Sequence, residues 1–158
     1  PRFEKHLLCD DDGLFPGDFN SWETKVVSDE IKRPETIGWY RNPSRASQDS
    51  LGVTYKDGSE FKIVRPDFIF FAQMPDGAVV ADIVDPHGVQ FSDALPKLKG
   101  LAAYAEENAG VYRRIEVFAE FGGDFRVIDL SEPSTRITVK SATSIKDVYD
   151  SISASDYV

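Results

Sequence analysis

Apolar positions along the chain follow two periods. Trp22, Val26, Val27 and Ile31 recur at helical spacing, which predicts a helix over about residues 21–32. Asn20 or Ser21 is its N-cap, Glu23 closes a capping box if Asn20 is the cap, and Pro34 ends it. Residues 36–40 form a short apolar stretch closed by a turn at Arg41-Asn42-Pro43-Ser44. Residues 51–55 and 60–64 are strands around Asp57-Gly58, the second running on through Pro66 to Phe71. Residues 68–71 and 79–84 are apolar on both faces, which predicts a central hairpin covered on both sides. Leu95, Leu98, Leu101, Ala102 and Ala105 make a second helical stripe, started at Asp93 and ending near Asn108, with Gly110 beyond. Residues 114–120 and 125–130 are strands about Gly122-Gly123-Asp124. Arg136, Thr138 and Lys140 alternate with Ile137 and Val139 as in a half-exposed edge strand, and residues 144–152 suggest a short terminal helix. The order predicts a single α/β domain over residues 1–158. Its mixed central sheet is flanked by helices, has extra C-terminal strands, and contains a helical crossover that lays the following strand parallel.

The register of the central hairpin brings chemistry into view. Met74-Pro75-Asp76-Gly77 reads as a type I turn closed by a left-handed glycine, a three-residue hairpin loop. Met74 then faces Ala78, and Asp67 sits opposite Asp85 with Cβ atoms about 5 Å apart. His87 points to the same face by strand alternation. Like charges that close repel unless a cation joins them, so the pair predicts a divalent-metal site at one end of an apolar hairpin. Asp82 falls on the opposite face and reads as a polar position at the sheet rim, although a slip of one residue would reverse the two aspartates' roles.

Charge and composition narrow the classes. The net charge of −9 argues against a general nucleic-acid coat, but not against an enzyme that touches nucleic acid at one place. A hydrophobic content of 41% is globular rather than disordered. No apolar run approaches a membrane span and no signal peptide is visible, which predicts a cytoplasmic chain without a membrane partner. Cys9 is the single cysteine, which excludes an internal disulfide and fits a reducing compartment. A start at Pro1 rather than Met suggests a piece of something longer. Asp10-Asp11-Asp12 reads as a solvated loop, Glu30 as a solvated helix residue, and His6 as loop surface. Trp39 and Tyr40 read as core, with base stacking the alternative. Arg41, Arg45, Arg113 and Arg114 are candidates for phosphate contacts, set against ordinary surface ion pairs.

With these pieces in place, the chain resembles the PD-(D/E)xK nuclease superfamily, and most of all the nuclease domains at the carboxy end of type III restriction subunits and related helicases. The resemblance is carried by Ser21-Trp22-Glu23, Gly38-Trp39-Tyr40-Arg41-Asn42-Pro43, Arg65-Pro66-Asp67-Phe68-Ile69, Val84-Asp85-Pro86-His87-Gly88 and Asp93-Ala94-Leu95-Pro96-Lys97, over roughly residues 20–120. It implies a restriction-endonuclease-like core of order αβββαβ. It implies metal-dependent cleavage of DNA, with Asp67, Asp85, the Pro86 carbonyl and Glu23 on Mg²⁺ or Mn²⁺. His87 would orient or deprotonate the water, Lys97 or Lys99 would neutralise transition-state charge, and Arg41, Arg45, Lys99 and Arg113 would contact nucleic acid. It also implies a helicase motor or a restriction-type, antiviral-defence subunit as partner. Two departures stand out: His87 replaces the family's lysine, and Asp85 replaces a glutamate. Both leave open a nuclease fold that binds nucleic acid or protein without cutting. A further alternative is an assembly module whose acidic surface docks on a basic neighbour.

Overall fold

Arg2–Phe3 (β1) and Phe15–Pro16 (β2) pair antiparallel at the start of the chain. A computed structural model gives the architecture and describes residues 1–86 and 92–157. Asp10 Oδ1 accepts the backbone N–H groups of Asp12 and Leu14 at 3.0 and 2.9 Å, so the acidic run closes an ordinary turn. The first helix is Ser21–Glu30 (α1), and both capping-box bonds form. Asn20 Oδ1 accepts from Trp22 and Glu23, and Glu23 Oε2 accepts from Asn20 N–H, each at 2.9 Å.

Thr36–Arg41 (β3) precedes a hairpin of Val53–Asp57 (β4) and Glu60–Val64 (β5), whose turn includes Gly58 at φ +61°. This ribbon is a two-stranded sheet of its own, not the start of the next strand as the sequence pattern suggested. Pro66 has no N–H for a ladder, so the chain leaves one sheet and enters the other across residues 65–67. Phe68–Gln73 (β6) and Val79–Asp85 (β7) form the central hairpin in the expected register, with Phe68 opposite Val84. Met74 N–H bonds the Ala78 carbonyl at 2.8 Å, and Gly77 takes φ +88°.

Ala94–Glu107 (α2) crosses over to Tyr112–Phe121 (β8), which pairs parallel with β7. Asp124–Asp129 (β9) returns antiparallel. Pro133–Ser141 (α3) occupies the stretch whose alternation suggested an edge strand. The decisive pair is Arg136 and Val139: three apart, they face inward together on one helical face, while Ile137 is 69% exposed. Arg136 also donates to the carbonyls of Leu130 and Ser131 at 3.0 and 2.7 Å, and Pro133 sits at the helix start where its missing N–H is harmless. Ile145–Tyr149 (α4) is shorter than expected and gives way to an edge strand, Ala154–Asp156 (β10).

The result is a mixed α/β fold around a six-stranded sheet of order β10-β9-β8-β7-β6-β3. One face packs Phe68, Phe70, Val84 and Phe118 against α1 and the N-terminal segment, with Trp39 in that core. The other packs Ile83, Ile115, Val117 and Ile128 against α2, Val139, Tyr149 and the β4–β5 ribbon. Among the described residues no helix is long and apolar enough to cross a membrane.

Candidate functional site

Two acids lie at the open end of the β6–β7 hairpin. The ladder ends with Phe68 opposite Val84; Asp67 precedes β6, Asp85 ends β7, and the Asp67 N–H lies 3.4 Å from Asp85 Oδ1. Asp85 is 1% exposed and the following Pro86 is buried, while His87 and Gly88 lie outside the described residues. Glu23 arrives from the first turn of α1, because its capping-box geometry turns the carboxylate toward the sheet. Its Oε1 pairs with Arg41 Nη2 at 2.7 Å. Arg41 Nη1 reaches Asp67 Oδ1 at 3.0 Å, an ion pair without hydrogen-bond alignment. The guanidinium lies 4.7 Å from the Phe68 ring centre and 5.5 Å from that of Phe19.

Asn42 fixes this corner. Its N–H donates to the Asp67 carbonyl at 2.9 Å. Its side chain donates to the Leu51 and Pro66 carbonyls at 2.9 and 2.8 Å and accepts from Leu51 N–H at 2.8 Å. The Arg-Asn-Pro segment is therefore more than a turn: Arg41 bridges acids and Asn42 fastens the chain on either side of them. Only the motif's place in the sequence hinted at these roles.

The donor set is carboxylate oxygen, the kind that Mg²⁺ and Mn²⁺ prefer. Positive charge between Glu23 and Asp67 comes from Arg41 itself. Among the described residues, no group of three His, Cys, Asp or Glu is drawn together at metal-binding distances. Lys97 is 3.6 Å from Asp93. Asp93 is the N-cap of α2 as expected, but its side chain makes no capping bond; its carboxylate accepts the Tyr55 hydroxyl at 2.7 Å. That bond holds Asp93 below the usual carboxylate range, and burial first, then Asp93, pushes Tyr55 up to about 12.

The predicted nucleic-acid contacts divide. Arg45 is exposed and Lys99 is half-buried beside the β4–β5 ribbon. Arg41 is committed to the acids above. Arg113 and Arg114 are committed to a second polar cluster on the α1 face, built on Asp82 and Glu30. Asp82 does face away from Asp67, but it is fully buried at the sheet centre rather than at the rim, and Glu30 is fully buried rather than solvated. Arg113 Nε and Arg114 Nε each reach Asp82 at 3.0 Å, and Arg114 Nη2 reaches both Asp82 and Glu30 at 2.8 Å. Arg114 Nη1 bonds Glu116, and Arg33 Nε bonds Glu30, both at 3.0 Å. Arg113 also approaches Glu35 at 3.5 Å. Burial pushes the Glu116 carboxyl up to about 7. The available signal was an aspartate inside an apolar strand and two arginines opening the next: buried charges need partners.

His6 is buried, not surface. Its ring stacks on Phe15 at 3.7 Å and meets Trp39 edge-on. Nε2 accepts the Arg41 N–H at 3.0 Å, so Nδ1 carries the proton toward the Leu8 carbonyl at 2.7 Å. Burial holds its pKa below the usual value.

Fold and site together define a mixed α/β protein with an acid pair across its central hairpin and an arginine among the acids. The chain belongs to the YagJ family, whose model matches residues 4–158. It is similar to Protein YagJ of Escherichia coli (strain K12), with 48% identity over 157 residues, covering 99% of this chain. The chain spans 64% of that relative's length. No solved structure matches it.

Proposed function

We propose that this chain is a restriction-endonuclease-like module that hydrolyses DNA phosphodiesters with Mg²⁺ or Mn²⁺. In this reading it works in the cytoplasm alongside a helicase motor or another antiviral-defence subunit. The observation that carries the reading is the contact of the Asp67 N–H with the Asp85 carboxylate at the end of a hairpin followed by a helical crossover and a parallel strand. Asp67, Asp85, the Pro86 carbonyl and Glu23 are the residues that would hold the cation. A bound divalent cation supplies Lewis-acid polarisation of the scissile phosphate. The protein residues do the rest. Asp85 is almost wholly buried, which strengthens its attraction for a cation. His87 has an imidazole suited to accept a proton from the attacking water near neutral pH. Lys97, in the first turn of α2, offers charge to the developing oxyanion.

Arg41 favours a second reading. A guanidinium shared by Glu23 and Asp67 is a permanent counter-ion, and it leaves a fold that binds nucleic acid without cutting it. Supercoiled plasmid incubated with Mn²⁺ or Mg²⁺ separates the two. Nicking by the wild-type chain, lost in Asp85→Asn with an unchanged melting temperature, supports cleavage. No nicking, together with no heat of Mn²⁺ binding by calorimetry, overturns it in favour of the second reading.

A further inference from the structure

Most cations in this chain are already spoken for by carboxylates or carbonyls. Among the described residues, Arg45, Lys56, Arg65 and Lys99 are the exceptions: none of them makes an ion pair. Arg65 Nε is in addition buried without a hydrogen-bond partner. In a chain of net charge −9 these four fall in one region, the β4–β5 ribbon, the segments on either side of it and the facing side of α2. Lys56, Phe61 and Lys99 line a single groove there, of about 330 Å³, with Pro96, Gly100 and Tyr55. The ribbon's inward residues, Val53, Tyr55 and Val64, join the core, and Gly100 lets α2 approach so closely that a Cβ there would stand 2.3 Å from Tyr55 Cβ. Its outward residues are Thr54, Lys56, Phe61 and Ile63, and Phe61 is 75% exposed. A bare phenyl ring beside two uncommitted ammonium groups is the combination that binds an unpaired base and its phosphates.

We propose that this groove binds single-stranded nucleic acid, with phosphates on Lys56 and Lys99 and a base stacked on Phe61. It rests on the nucleic-acid part of the function proposed above and not on cleavage. The groove itself selects the occupant: Lys56 and Lys99 suit phosphates and the exposed Phe61 ring suits a base, whereas an acidic peptide or a second copy of this chain brings no base to stack on that ring. A single strand is favoured over a duplex because its bases are free to leave the stack.

Fluorescence anisotropy tests this with a labelled oligothymidylate and the full chain in EDTA, so that no cleavage can contribute. Phe61→Ala should weaken binding by about fivefold or more. Lys56→Gln and Lys99→Gln should each lower the slope of log affinity against log salt by about 0.7. Heparin, which has charge but no bases, should bind Phe61→Ala as well as wild type. Three results overturn the proposal: no oligothymidylate binding, whether or not the chain nicks plasmid, binding indifferent to all three substitutions, or sedimentation of a dimer abolished by Phe61→Asp. Phe61-dependent binding without any nicking upholds the groove while removing the cleavage reading. All three residues lie on the groove surface, so melting temperatures should not move.

Discussion

Two groups of acids lie three residues apart along β7 and are held in opposite ways. At Asp85, the hairpin end, Glu23 and Asp67 share one arginine, a quarter exposed and unaligned toward Asp67. At Asp82, one buried carboxylate takes two arginines, and Glu30 takes one of these together with Arg33. The second arrangement spends many fixed hydrogen bonds on a charge that is never offered to solvent. It fastens α1 to the sheet centre. The first gathers three acids at a strand end, two of which, Glu23 and Asp67, share the Arg41 side chain. Structural and chemical uses of the same residue types are thus separated by burial and by the number of guanidiniums per carboxylate.

Breaking the buried group should have the largest effect. Asp82→Ala leaves two guanidiniums without their shared acceptor, and such a loss costs about 3–5 kcal/mol. Urea unfolding should show it as a lower midpoint with an unchanged slope. Asp85→Asn, which keeps the shape and a hydrogen-bonding oxygen, should cost clearly less. Equal costs would erase the distinction between the two groups.

Arg41→Met comes next. It removes the charge between Glu23 and Asp67, worth about 2 kcal/mol for hydrogen bonds to charged groups. If the arginine and a cation compete for the same oxygens, Mn²⁺ should raise the melting temperature of the variant more than that of the wild type. An identical Mn²⁺ response in both would mean that the corner does not take cations.

What the sequence disclosed follows the same division. The hairpin register, the capping box and the crossover were legible because each depends on a few neighbouring residues: Pro75-Asp76-Gly77, Asn20 with Glu23, the stripe from Leu95 to Ala105. The contact of Asp67 with Asp85 came with the register. The Glu30–Arg114–Asp82 network was not legible, because its members come from α1, β7 and β8 and meet only in the folded sheet. Residues 136–140 misled because a helical inward pair, Arg136 and Val139, also fits the polar–apolar alternation of a strand. His6 misled because one polar ring among charges looks solvated until Phe15 and Trp39 enclose it.

Acid and base act on the two regions with opposite signs. Glu116 is raised from 4.5 to about 7 by burial, so between those values the unfolded chain has lost a proton that the fold retains. Stability therefore falls as pH rises through this window. Glu116→Gln keeps an acceptor for Arg114 and should stabilise the chain at pH 8 by about 1–2 kcal/mol, flattening that limb. His6 is lowered from 6.5, so its neutral form contributes stability that is full above 6.5 and is lost as pH falls toward its folded value. With Glu116→Gln in place, a remaining acid-side loss that His6→Gln removes would assign it to the N-terminal segment. A pH profile unchanged by either substitution would refute both assignments.

Glu23 gives the smallest and sharpest test, since it belongs to both an α-helical cap and the acid corner. Its Oε2 accepts the Asn20 N–H and its Oε1 meets Arg41. Glu23→Gln preserves the capping oxygen and removes only the charge, so it should cost less than about 1 kcal/mol, whereas Glu23→Ala should add the loss of a cap, about 1 kcal/mol more. If Glu23 serves the corner chemically, the glutamine variant should lose Mn²⁺ affinity while its unfolding midpoint barely moves. If it serves only the helix, Mn²⁺ affinity should track neither substitution, and the acid corner would shrink to the two aspartates of the hairpin.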